Sequence, residues 1–148
     1  MSKFSLTRTE PPVSEETALG EVQKLLQFYG YDIDALADGP VKTNAESALE
    51  LLTRAVREGF LEFTESPKFV ITQKLRKIPT GGAISVIEYA EFTGATKVNL
   101  DRVPSGETYR RMYSLLGSLS GLPFESFKVL GGEDLALAEA IGFFFLSR

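Results

Sequence analysis

The hydrophobic period of this chain changes twice, and that limits its fold more than any other feature. Over residues 14–58 apolar side chains recur at helical spacing. Over 60–103 they run closer to strict alternation, and after Pro104 the helical spacing returns. A pattern of one period does not sit stably in the other structure. The chain therefore reads as α+β, with helices packed on a small antiparallel sheet. Residues 1–13, closed by Pro11 and Pro12, read as a flexible arm. Residues 14–148 read as a single domain, with 14–60 as an alternative helical subdomain.

Local signals place the elements. Ser14 can cap a first helix, with Glu15 and Glu16 at its positive end and Ala18, Val22, Leu25, Leu26 and Tyr29 on one face; Gly30 stops it. Thr43 and Glu46 have the spacing of a capping box ahead of a second helix, with a stripe of Ala45, Ala48, Leu49, Leu52 and Val56 that ends at Gly59. Residues 60–65 predict a strand, Ser66 and Pro67 a turn, and 68–75 its antiparallel partner. A loop with Pro79, Gly81 and Gly82 leads to 84–92, read as a strand with a helical alternative. Gly94 and Ala95 then turn the chain into a strand over 96–103, giving three or four strands in all. Ser105 can cap a helix with Tyr109, Met112, Tyr113, Leu116 and Leu119 on its apolar face. Pro123 suits the first turn of a short helix bearing Phe124, Phe127 and Leu130, and a last helix covers 133–146.

Composition excludes whole classes of function. The chain has no cysteine and no histidine. It can build no disulfide, no thiolate or imidazole metal site, and no serine–histidine–acid triad. The commonest general acid and base near neutral pH is absent too. We read the chain as not an enzyme, with no catalytic residues, no cofactor and no metal. A net charge of -4 and a pI near 5.0 argue against broad phosphate binding. The most apolar stretch, 135–146, is shorter than the roughly 20 residues a bilayer span needs. The N-terminal residues lack a secretory signal, so no membrane and a cytoplasmic location are expected.

Apparent motifs fail on inspection. Asp32, Asp34 and Asp38 suggest a calcium loop, but Leu36, Ala37 and Thr43 stand where its oxygen ligand, glycine and glutamate belong. Residues 117–121 hold Leu119 where a nucleophile elbow needs serine. Residues 79–82 lack the frame of a phosphate loop. Lys68, Lys74, Arg76 and Lys77 follow a helix and a hairpin, so residues 43–77 allow a winged-helix regulator or nucleic-acid-binding protein as the second reading. Glu46, Glu50 and Glu58 on the preceding helix make it a poor groove reader, and basic residues also serve to blunt sheet edges. These features disfavour nucleic acid as a partner.

The last helix carries the remaining candidate. Leu137, Ile141, Phe144 and Phe145 follow the spacing of a core stripe, whereas Leu135, Phe143 and Leu146 lie off it. A helix apolar on more than one side is buried or docks on another chain. Leu135, Phe143 and Leu146 are therefore the candidate partner interface, toward a second copy (a homo-oligomer) or another protein.

Residues 113–123, the segment 124–130 and the helix ending in Phe143, Phe144 and Phe145 together resemble the tail assembly chaperones of long-tailed bacteriophages, the contractile-tailed kind above all. Leu116, Leu119, Ser120, Gly121, Leu122 and Pro123 match the first part of that pattern, and Leu130, Asp134, Leu137 and Phe144 the rest. The match spans about residues 105–146; the family offers no counterpart for 14–75. The resemblance implies a non-enzymatic phage or prophage protein of the host cytoplasm. Such a protein binds the hydrophobic tape-measure protein, or recruits tail-tube subunits, without entering the finished virion.

Overall fold

The computed structural model describes residues 13–28, 30–65, 68–79, 84–90, 93–104, 106–123 and 125–146. Residues 1–12 of the expected arm, Tyr29, Ser66 and Pro67, Gly81 and Gly82, Phe92, Ser105 and Phe124 lie outside the described residues.

Helix α1 spans Glu15–Phe28 and begins as its sequence predicts, with Ser14 Oγ accepting from the Thr17 N–H at 3.2 Å. Its buried stripe is Ala18, Val22, Leu25 and Leu26. The acidic segment that follows folds into a 3-10 turn at Ile33–Ala35, closed by Asp32 Oδ1 accepting from the Asp34 N–H. Helix α2 runs Pro40–Glu58, so it starts before the expected capping box. Pro40 supplies a preset φ and lacks an N–H that would need capping. Thr43 already donates its N–H to the Gly39 carbonyl inside the first turn, and no side chain caps the helix. At the far end Gly59, at φ 86°, closes α2 in the left-handed conformation.

Three strands follow: β1 (Leu61–Thr64), β2 (Val70–Lys74) and β3 (Val86–Ala90). They form an antiparallel sheet in the order β1-β2-β3, with Phe63 opposite Ile71 and Ile71 opposite Tyr89. Alternation sends Leu61, Ile71, Gln73, Ile87 and Tyr89 inward and leaves Glu62, Lys74, Val86 and Glu88 outside. Of the stretch read over 84–92, Val86–Ala90 forms a strand rather than the helical alternative.

The fourth strand expected over 96–103 is instead helix α3, Gly94–Asp101. Thr93 stands before it and Thr96 Oγ1 accepts from the Thr93 N–H, half of a capping box with threonine in place of glutamate. Thr96 and Leu100, four apart, are both buried. Arg111 closes the other end by donating to the carbonyls of Leu100 and Val103. Helix α4, Thr108–Ser120, ends at Gly121 (φ 75°), and α5 (Glu125–Lys128) leads to α6, Gly132–Leu146.

One hydrophobic core joins all layers. Helix α2 packs on α1 on one side and on α6 on another, while α4 packs on α6, α3 and β3. The N-terminal helical pair therefore shares its core with the C-terminal helix. Among the described residues no helix is long and apolar enough to cross a membrane.

Candidate functional site

Helix α6 has almost no polar side. Leu137, Ala138, Ile141, Phe144 and Phe145 are buried, and the Phe144 and Tyr31 rings meet in a T-shaped arrangement with centroids 5.0 Å apart. The three candidate interface residues, Leu135, Phe143 and Leu146, are each half-buried. They touch the rim of the core and keep part of their apolar surface outside it. Spacings of four, four and three place Leu135, Glu139, Phe143 and Leu146 on one side of the helix.

Helix α4 extends that surface. Tyr113 Oη donates to Glu139 Oε2 at 3.0 Å, so the rim of α6 meets α4 there. Burial, then this carboxylate contact, raise the Tyr113 pKa above the ordinary phenol value. Tyr109, expected on the buried face of this helix, is 67 % exposed and lies 6.3 Å from the Tyr113 ring. It shares a side with Leu116 but sits two turns earlier, where α4 runs past the core. Met112 is half-buried and faces Gly142, whose missing Cβ would overlap the Met112 sulfur. Tyrosine, methionine, phenylalanine and leucine around one carboxylate match the make-up of protein-binding surfaces. Sequence reading offers Leu135, Phe143 and Leu146 on α6 as candidates; the exposure of Tyr109 and the half-burial of Met112 were not legible because periodicity gives a face but not how far the core extends along it.

A second cluster ties α6 to the sheet. Tyr89, fully buried, donates its hydroxyl to Gln73 Oε1 at 2.7 Å, and Gln73 Nε2 donates to the Asp134 carbonyl at 2.9 Å. The Asp134 carboxylate, also buried, accepts the N–H groups of Arg76 at 2.8 Å and Lys77 at 3.0 Å. Around it Arg76 pairs with Glu58 and Glu133, stacks 4.0 Å over the Phe60 ring, and Glu133 reaches Arg54. The polar atoms named here answer one another, so this is a lock that seats the first turn of α6 on β2. Asp134 looked like a charge for the helix dipole; its contacts fall some sixty residues earlier in the chain, out of reach of local pattern reading.

The basic residues of the second reading are partly neutralised. Lys74 pairs with Glu62 at 3.4 Å, and Arg76 belongs to the lock. Lys74 also lies on β2, the central strand, so it blunts no sheet edge. Among the described residues no group of three or more acidic side chains is placed to hold a metal ion. Comparison with protein-family models, curated proteins and solved structures finds no match.

Proposed function

We propose that this chain is a non-enzymatic assembly protein of phage or prophage origin, a chaperone-like binder of a tape-measure or tail-tube protein in the host cytoplasm. The observation that carries the reading is the half-exposed strip Leu135, Phe143 and Leu146 on α6, continued by Tyr109 and Tyr113 of α4. A long apolar helix of a tape-measure protein would lay its own stripe along such a strip. The residues behind the family resemblance support it in their structural roles. Gly121 makes the left-handed stop, and Leu116, Leu130 and Leu137 hold the helical hairpin together.

The test is co-expression with the tape-measure product encoded in the same genome, followed by size-exclusion chromatography. Wild type is expected to co-elute with it. Leu135→Ser combined with Phe143→Ser is expected to lose the complex while keeping a cooperative melt. A complex that survives both substitutions, or none with wild type, overturns the proposal.

A further inference from the structure

Asp38 and Gly39 form the exposed corner between the acidic segment and α2. Of the five aspartates in the chain, Asp38 alone is followed by glycine; the others precede Ile33, Ala35, Arg102 and Leu135. The carboxyl carbon of an aspartate can close a five-membered ring with the next residue's nitrogen, and a side chain on that residue obstructs the approach. Glycine has none. The fold also needs glycine here. Gly39 stands at φ 146° and ψ -172°, a region that residues with a Cβ essentially never enter. The turn into α2 therefore carries the reactive pair as part of its geometry. Its surroundings do not hold the pair still. Residues 37–40 are exposed, and a Cβ on Gly39 would meet no atom within 4 Å beyond its chain neighbours. Among the described residues no group accepts the Gly39 N–H, and the first tie beyond it is the Thr43 N–H on the Gly39 carbonyl. The Asp38 side chain is 100 % exposed and pairs with the Lys42 ammonium at 3.7 Å. An exposed pair at this distance restrains the side chain weakly, so the carboxyl carbon can swing toward the Gly39 nitrogen.

We propose that Asp38 is a site of spontaneous covalent modification, isomerising to isoaspartate in the folded protein. The Gly39 nitrogen attacks the Asp38 carboxyl carbon and an N–C bond forms. The hydroxyl of the protonated carboxyl leaves with the Gly39 amide proton as water, and the product is a succinimide. Water then opens the ring at either carbonyl. Opening at the side-chain carbonyl returns aspartate. Opening at the main-chain carbonyl leaves the chain running through the former side chain, with the free carboxylate on Cα. The atoms balance without any oxidant or reductant, since the water lost in the first step is regained in the second. The main chain gains one carbon just ahead of α2, whose buried residues begin only at Ala45. The core is left in place, so the product accumulates in folded protein. The reaction draws on none of the α6 residues and stands whether or not those bind a partner.

Incubation of the full chain in warm neutral buffer for several weeks tests it. Isoaspartate is read by methyl transfer from S-adenosylmethionine with an isoaspartyl methyltransferase, and is located by electron-transfer fragmentation. Wild type is expected to gain more isoaspartate at 38 than at the other four aspartates together. Asp38→Glu cannot close the same ring and is expected to lose the methyl-accepting signal while melting as wild type does. A parallel incubation in guanidinium separates the fold from the dipeptide. Residue 38 in the folded chain is expected to react less than about tenfold more slowly than in the unfolded one, as a loop with almost no opening cost does. Isoaspartate that fails to appear at 38, that forms equally at the other aspartates, or that persists in Asp38→Glu overturns the proposal. So does a site that reacts in guanidinium and is slowed beyond that limit in the folded chain.

Discussion

Tyr89 places a hydroxyl in the core and donates it to Gln73, which hands the hydrogen bond on to α6. Full burial disfavours the phenolate and holds the Tyr89 pKa far above the ordinary phenol value. The unfolded chain ionises this tyrosine near pH 10, whereas the folded chain keeps its proton. The contribution is therefore complete below that pH and is lost as pH rises past it, by about 1.4 kcal/mol per unit. Urea melts between neutral and strongly alkaline pH are expected to show this slope, and Tyr89→Phe to flatten it. The same substitution strands Gln73 Oε1 and is expected to cost about 1–3 kcal/mol at neutral pH. Asp134 is the other exacting residue. Asp134→Ala leaves the part-buried N–H groups of Arg76 and Lys77 without this acceptor and is expected to cost about 1–3 kcal/mol in chemical denaturation. Asp134→Asn keeps one oxygen and should lose clearly less; equal losses would mean that the lock does not rest on these two acceptances.

Among the elements, α1, α2 and α4 were legible because each carries a long stripe at one period, and α6 because it is a long apolar run opened by Glu133 and Asp134. Helix α3 was not. Its residues 96–103 alternate β-branched and polar side chains well enough to suggest a strand. What decides for helix is the Thr93–Thr96 cap and the Arg111 guanidinium on its last carbonyls, one a local signal in an unusual residue and the other from a different element. The start of α2 was misplaced for a similar reason, since Thr43 and Glu46 have the right spacing and Pro40 offers an earlier, cheaper start. Within α6 the roles of neighbouring rings can be separated. Phe144, buried against Tyr31, is expected to cost about 3–5 kcal/mol as Phe144→Ala, and the half-exposed Phe143 no more than about half of that. Thermal melts of the two variants check the difference; equal losses would make the whole helix core and remove its interface. Gly142 tests how α4 meets α6. Gly142→Ala gains about 1 kcal/mol of helix propensity and displaces only the flexible Met112 side chain, so it should be near neutral. Gly142→Leu has no such escape against Leu116 and is expected to destabilise by about 2 kcal/mol or more.

For the whole molecule, the two changes of period announce helices, a small sheet and helices again, but they do not say which helical faces meet. The N-terminal pair could have stood as a separate subdomain on sequence grounds, because Leu52 and Val56 need an apolar neighbour without specifying whose. The fold supplies α6. Leu25 and Leu26 of α1, Leu52 of α2, Ile71 of β2 and Ile141 and Phe145 of α6 converge on one junction. Each of those side chains contributes roughly 1.5–3 kcal/mol when buried, so losing the α1 and α2 side of the junction removes several such terms at once. That is comparable to the whole margin by which a domain of this size is stable. A chain restricted to residues 60–148 is therefore expected to show no cooperative thermal transition by circular dichroism and to associate through the uncovered Ile141, Phe144 and Phe145. A cooperative melt from that fragment, close to that of the full chain, would instead establish residues 14–60 as an independent unit, and the shared core would have to be given up.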